Sequence, residues 1–314
     1  MITRVSTESA ERPLFIVNPA SGGGRTRRRV GALIDAIERA GLDANVVFTD
    51  HPGHGQAVAA EALERGHRFL VACGGDGTVN EVASAILTAA AAEYVRIGTV
   101  GLGTGKDVAK CLGIARASRA IAAISTGAER RIDAGRVLAT DAEGSPIVRY
   151  FLLEASAGWV PEISRATPRW LKRLGDTAPY VLVGAAKMFG PMGRFFTLTI
   201  ADQQHDGRYN TVSVHNMELW GGDLVAAPGA LPDDALFDVI RWGDLGRPSA
   251  VRAMLGQRAG GTHLAMDGID LHRATRVQLS SPKRTMLDLD GEAGGFLPAT
   301  IEILPGALRF VAPA

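Results

Sequence analysis

The chain has 314 residues, and 34 Lys and Arg against 33 Asp and Glu leave a formal net charge of +1. That balance gives no reason to expect nucleic-acid binding. Apolar content of 46% with 21% charged residues fits an ordinary globular protein with room for two domains.

Met1 to Pro13 carries Arg4, Glu8, Glu11 and Arg12 and reads as neither a signal peptide nor an anchor. No stretch approaches the roughly 20 apolar residues of a membrane span. The expected location is therefore the cytoplasm, with any membrane contact peripheral. Cys73 and Cys111 lie in apolar surroundings and read as buried free thiols. The seven histidines show no metal-ligand spacing.

Along the chain, Leu14 to Val17 predicts a strand, followed by the loop Asn18 to Gly24. Val30, Leu33, Ile34 and Ile37 fall at helical spacing, and Gly41 ends that helix. Ala44 to Phe48 predicts a strand, His54 to Arg65 a helix and Phe69 to Ala72 a third strand. Val82 to Ala92 predicts a helix, Val95 to Val100 a fourth strand, and Asp107 to Leu112 the opening of another helix. Strands alternating with helices imply a mostly parallel sheet in a three-layer α/β domain. Ligands bind at the carboxyl ends of such strands.

From about residue 132 the pattern changes to short strands separated by turn residues. They are predicted at Ile132 to Ala139, Val148 to Glu154, Phe195 to Ala201, Tyr209 to Asn216, Ala235 to Arg241, Arg276 to Ser280 and Thr285 to Leu289. An antiparallel sandwich or barrel is expected, interrupted by a helical insert at about Pro168 to Phe189. The expected boundaries are 1–131 for a nucleotide domain and 132–296 for a β-rich domain. Strands at Ala299 to Leu304 and Leu308 to Val311 could return to either.

Three glycine loops follow three strands of the first domain: Asn18 to Gly24, Gly74 to Asn80, and Gly101 to Asp107. Glycines between a strand and a helix often serve the turn alone. Three at one sheet edge, with Thr78 and Thr104 as hydroxyl donors, predict a phosphate cradle. A P-loop is excluded because Asp107 follows Gly105-Lys106, and no loop carries the dinucleotide glycine spacing.

These segments resemble the diacylglycerol kinase catalytic-domain superfamily, in its bacterial lipid kinase branch. The resemblance rests on Asn18-Pro19-Ala20-Ser21-Gly22, Thr49 with Pro52-Gly53-His54, Gly74 to Glu81, Gly103-Thr104 and Asp107. It continues through Lys172-Arg173, Gly175, Tyr180, Asn216, Gly221-Gly222, Pro228, Leu231, Asp233-Asp234 and Asp290-Gly291-Glu292.

It implies an ATP-dependent kinase acting on a lipid hydroxyl of diacylglycerol, a ceramide or sphingoid base, or a related lipid. Asn18, Pro19, Ala20, Ser21, Gly22, Thr49, Gly74, Gly75, Asp76, Gly77, Thr78, Val79, Asn80, Gly103 and Thr104 would contact ATP. Main-chain carbonyls of Leu231 and Leu236 and the carboxylate of Asp234 would hold Mg²⁺. Glu292, with Asp290 beside it, would be the general base, and Asp76 is the competing candidate. The expected partners are ATP and a membrane-derived lipid, with a homodimer allowed, and the active site is expected between the domains.

Other readings stay open on the residues alone: an NAD kinase-like or other small-molecule kinase, or a non-catalytic lipid- or nucleotide-binding regulator. Asp290-Gly291 alone would be a plain hairpin turn, and Asp233-Asp234 a solvated one. Arg165, Arg169, Lys172 and Arg173 with Trp159, Trp170 and Leu171 could lie at an anionic lipid surface, although a solvated helix face is the commoner use. Two departures from the family pattern stand out. Lys106 replaces an Asn and could pair with Asp107 or reach phosphate, and Ala235 replaces a Gly beside the metal loop.

Overall fold

The computed structural model describes residues 11–103, 105–166 and 191–313. The insert predicted at Pro168 to Phe189, the motif residues Lys172, Arg173, Gly175 and Tyr180, the basic cluster beyond residue 163, and Thr104 all lie outside what is described. The chain divides into two compact units, 1–132 with 306–314, and 133–305.

The first unit is built on parallel strands β1 (Leu14–Val17), β2 (Asn45–Phe48), β3 (Phe69–Gly74) and β4 (Arg96–Gly101), in the order β2-β1-β3-β4. Arg309 and Phe310, at the end of the last strand, pair with Arg96 and Ile97 beside β4. Central strands β1 and β3 are buried along their whole length, as expected where helices cover both faces of a parallel sheet. The connecting helices are α1 (Arg25–Arg39), α2 (His54–Glu64), α3 (Asp76–Thr88), α4 (Asp107–Cys111) and α5 (Ala117–Thr126).

Helix α3 begins at Asp76, six residues before the expected Val82. The polar residues Asp76 and Thr78 therefore occupy its first turn, and Asn80 begins the second, rather than lying in a loop. Helix α5 was not anticipated, although Ala120, Ile121, Ala123 and Ile124 form its buried face.

The second unit is antiparallel. It contains β5 (Arg130–Thr140, entering from the first unit), β6 (Pro146–Phe151), β7 (Glu154–Gly158), β8 (Arg194–Ile200) and β9 (Gln203–His215). A two-stranded ribbon, β10 (Leu219–Trp220) and β11 (Leu224–Val225), follows, and then β12 (Phe237–Gly243), β13 (Ile269–Ala274), β14 (Arg276–Ser280), β15 (Met286–Leu289) and β16 (Glu292–Phe310).

Pairing runs β8-β9-β7-β15-β16-β14 and returns to β8, which closes a barrel. The long strand β9 makes closure work. Its first half pairs with β8, while its second half pairs with β7 and β12. Strand β13 extends the β12 side. Phe151, Phe196, Val212, Val214, Phe237, Leu287, Leu289 and Ile301 fill the interior.

The expected strand Val148 to Glu154 is two strands, because Leu152 and Leu153 form a bend between β6 and β7. The two expected C-terminal strands are one, β16. Helices α6 (Trp159–Ala166) and α7 (Arg247–Arg258), and strand β13, complete the unit. Among the described residues no helix is long and apolar enough to cross a membrane.

Candidate active site

In the first unit, parallel pairing brings the ends of β2, β1, β3 and β4 to one sheet edge. Val17 sits beside Cys73, and Gly74 beside Gly101. Thr49, Asn18, Gly75 and Leu102 continue the chain from those ends. Main-chain bonds lock the loops together: Asn18 N–H donates to Cys73 O at 2.9 Å, Thr49 N–H to Val17 O at 2.9 Å, and Gly103 N–H to Gly74 O at 2.9 Å. The Asn18 amide donates to Thr78 Oγ1 at 3.2 Å, and its Oδ1 accepts the Ala20 N–H at 3.0 Å.

Gly22, Gly23 and Gly24 have φ of 60°, 65° and 87°, a left-handed run that side chains disfavour. A Cβ on Gly103 would lie 3.0 Å from both Cα and N of Gly75, so the second and third loops meet glycine on glycine. The N-terminus of α3 opens at this edge, where its first N–H groups lack intrahelical acceptors. Such an edge suits an anionic ligand.

Two carboxylates that look functional in sequence serve to hold these loops. Asp76 accepts the Asp107 N–H on Oδ2 at 3.1 Å and the Val108 N–H on Oδ1 at 3.0 Å, capping α4. Glu81 accepts the Gly53 and Gly55 N–H groups at 3.0 and 2.9 Å, which caps α2 from α3. This role of Glu81 was missed, because nothing local in the sequence signals a bond across 26 residues. Of the two roles open to Lys106, the ion pair with Asp107 is not made among the described residues. Asp107 is paired with Lys110 at 2.8 Å, one helical turn on, and the Lys106 stem packs over Gly101.

Asp50, His51 and His54, directly after Thr49, bring one ligand atom each within 4.8 Å of one another. That corrects the expectation of no ligand-like histidine grouping. All three sit at or near the surface. Cys73 is fully buried, as expected, and burial pushes its thiol pKa up; Cys111 is half-buried.

In the second unit, Asp290 and Gly291 form the turn between β15 and β16 with φ of 51° and 86°. This left-handed pair is the signature of a tight hairpin. The Asp290 carboxylate accepts the N–H groups of Leu152, Leu153 and Glu154 at 2.9, 2.9 and 3.0 Å. It is a backbone clamp, with both of its oxygens accepting main-chain N–H groups. Glu292, the next residue but one, is exposed.

The expected metal loop is also described. Leu231 is exposed, and Asp234 and Leu236 are half-buried. Asp234 Oδ1 accepts the Leu236 N–H at 3.1 Å, while Oδ2 is paired with Arg273. The Asp234 carboxylate with the main-chain carbonyls of Leu231 and Leu236 would be a hard oxygen set of the kind Mg²⁺ takes. The guanidinium already held at Asp234 shows that the loop draws positive charge. The residues present therefore fit a divalent cation, in competition with Arg273. Trp159, read from sequence as part of a cluster that is either a solvated helix face or a lipid-surface contact, is instead 2% exposed in a core with Ile163, Met192 and Ala250.

A groove of about 360 Å³ lies on the second unit, lined by Thr197, Thr199, Gln278, Ser280 and Thr300 with Leu138 and Leu279 among its apolar walls. Its hydroxyl-rich lining does not resemble an acyl-chain channel.

The chain thus joins a parallel α/β unit with glycine loops at one sheet edge to an antiparallel barrel with a clamped hairpin. Residues 12–137 match the model of the diacylglycerol kinase catalytic domain, and residues 156–312 match that of the YegS C-terminal NAD kinase beta sandwich-like domain. The chain is 30% identical to a Pseudomonas aeruginosa protein named "Probable lipid kinase YegS-like", over 91% of this chain and 90% of that one. It is 27% identical to a diacylglycerol kinase of Bacillus subtilis, over 96% and 97% of the two chains.

The fold matches a solved diacylglycerol kinase structure from Bacillus anthracis with a TM-score of 0.68, at 18% identity over 96% and 97% of the chains. Yeast NADH kinase is a more distant fold relative, with a TM-score of 0.51 and 10% identity over 96% and 82%. This chain belongs to the diacylglycerol kinase and YegS-like lipid kinase family, and it is a lipid kinase.

Proposed function

We propose that the protein transfers the γ-phosphoryl group of ATP, with Mg²⁺, to the hydroxyl of a membrane-derived lipid, diacylglycerol first among the candidates and a ceramide or sphingoid base next. The observation that carries this reading is the sheet edge where Asn18, Gly75, Thr78 and Gly103 converge beside the N-terminus of α3. Phosphoryl transfer depends mainly on positioning and charge neutralisation, and this edge provides rigid backbone donors for both. Pro19, Ala20, Ser21, Gly22, Thr49, Gly74, Gly77, Val79, Asn80 and Thr104 are proposed as the rest of the nucleotide contacts. The yeast neighbour's name associates a related fold with NADH, but the clamped Asp290-Gly291-Glu292 hairpin and the lipid kinase relatives favour a lipid acceptor.

Glu292 is the proposed general base. Its exposure leaves the carboxylate able to take the proton of an acceptor hydroxyl. Asp76 is disfavoured for that step, since each of its oxygens already accepts a main-chain N–H. Leu231, Asp234 and Leu236 would hold Mg²⁺, which supplies charge neutralisation when bound. The proposed setting is the cytoplasmic face of a membrane, approached peripherally; self-association into a dimer is an added proposal that gel filtration can check.

The test is transfer of label from γ-labelled ATP to a panel of lipids in mixed micelles. Labelled lipid from the wild-type protein and none from Glu292→Gln, with ATP binding retained in the variant, is the expected outcome. Near-full activity in Glu292→Gln combined with loss in Asp76→Asn would instead assign the base to Asp76.

A further inference from the structure

Directly beneath the Asp290-Gly291 turn, the second unit buries a pair of carboxyl groups. Glu154 opens β7 and is 4% exposed; Asp288 lies on β15 and is 2% exposed. Strand alternation sends Ala155, Ala157, Leu287 and Leu289 into the barrel interior, so Glu154, Ser156 and Asp288 share the opposite face. The register sets Asp288 opposite Ser156 and Leu289 opposite Ala155.

Glu154 and Asp288 are thus buried on one face of adjacent strands, and Glu154 Oε2 has no hydrogen-bond partner among the described residues. Two like charges buried on one face of adjacent strands disfavour each other, so the pair favours holding a single proton. Asp288 Oδ1 accepts the Gly291 N–H at 2.9 Å, which favours the ionised form there. Glu154 then carries the proton. Burial first, and the negative charges of Asp288 and Asp290 after it, hold its carboxyl well above the usual carboxylate range. Across from it on β9 stands His215, kept neutral by its own burial, with a pKa lowered to about 3.

The pair reaches the hairpin through both residues of the turn. Asp288 holds the Gly291 N–H. The main chain of Glu154 holds Asp290 twice, its N–H donating to Oδ1 at 3.0 Å and its carbonyl accepting the Asp290 N–H at 3.1 Å. Glu292 follows immediately. We propose that Glu154 is a neutral carboxylic acid donating to Asp288, and that this pair is the positioning element for the Asp290-Gly291 turn and hence for Glu292. The role rests on the reading of Glu292 as the base; the protonation of the pair does not.

The experiment compares Glu154→Gln, Glu154→Leu and Glu292→Gln in the lipid kinase assay, in ATP binding and in thermal melting from pH 5 to pH 9. A glutamine amide donates from the same place, so Glu154→Gln keeps turnover within about twofold of wild type. Glu154→Leu cuts kcat by about tenfold or more with ATP affinity unchanged, because a base displaced by about 1 Å can lose up to a hundredfold.

Melting reads the proton directly. A carboxyl whose folded pKa is raised gives stability that is fully present below its unfolded pKa and lost as pH rises through the folded one. Wild type therefore loses melting temperature relative to Glu154→Gln as pH climbs. Parallel melting curves across that range, or Glu154→Gln losing turnover as severely as Glu154→Leu, overturn the proposal. Should the wild type label no lipid at all, the reading of Glu292 fails, and the melting comparison still decides where the proton sits.

Discussion

Arg273 on β13 is paired with Asp234, the carboxylate proposed to hold a divalent cation, and its Nε also lies 3.5 Å from Asp238 Oδ1. The guanidinium and a cation thus draw on the same oxygen. Both partners of the pair are partly exposed, at 44% and 21% of their side-chain areas, so the contact contributes at most about 1 kcal/mol. Removing it with Arg273→Gln is expected to tighten Mg²⁺ or Mn²⁺ binding at this loop by up to about fivefold. Calorimetric titration of the cation checks this. Equal affinity in the variant would mean that the pair and the cation do not compete.

Asp76 is expected to act through structure. Its two N–H contacts to Asp107 and Val108 make it the cap of α4 from a distance of 31 residues. Losing such a cap costs about 0.5–2 kcal/mol. Asp76→Ala should therefore lower the urea midpoint and weaken ATP binding, by loosening the loop from Gly103 to Asp107. Turnover at saturating ATP should fall far less than in Glu292→Gln. A variant with unchanged stability and abolished turnover would return Asp76 to the chemistry.

The sequence carried the parallel half of the fold because its strands are short apolar runs bounded by glycines, as at Phe69 to Gly74. It also carried the turn at Asp290-Gly291. What it hid depends on tertiary partners. Helix α7 buries Ala250, Ala253, Gly256 and Gln257, a stripe too small and too polar to stand out as an apolar face. Glu154 ends a run of apolar residues and looks like a strand boundary, and only the closed barrel turns it under the hairpin. Asp76 and Glu81 look alike as acidic residues beside glycines; the helices they cap are set by folding, so sequence could not separate a clamp from a base.

Ala235 is a local misfit. It takes φ of 60° in the loop between Asp234 and Leu236 and donates its N–H to Asp133 Oδ2 at 2.7 Å. The left-handed conformation costs a residue with a Cβ about 1–2 kcal/mol, partly offset by the lower chain entropy of alanine in the unfolded state. Ala235→Gly should raise stability by about 0.5–1 kcal/mol net. Chemical denaturation at a single pH checks this, and a destabilised glycine variant would show that the loop tolerates alanine without strain.

His215 sets the acid limit of the second unit. It is fully buried, with Nε2 2.9 Å from Ser213 Oγ, its ring edge against Trp220 at 5.4 Å, and no partner on Nδ1 among the described residues. Glu154 and Asp238 face it from the flanking strands, and His263 lies near enough to disfavour a second positive charge. Burial first and His263 second lower its pKa from 6.5 to about 3. The unfolded chain therefore binds a proton near pH 6.5 that the folded protein refuses until about pH 3. Stability from this group is fully present above pH 6.5 and drains away as pH falls toward 3. The full effect is on the order of 5 kcal/mol, at 1.36 kcal/mol per pH unit. His215→Phe keeps a ring of similar shape and removes the titration, so its loss of melting temperature between pH 7 and pH 4 should be smaller than that of wild type. An equal loss would mean that the imidazole is not the group that takes up the proton on acid unfolding.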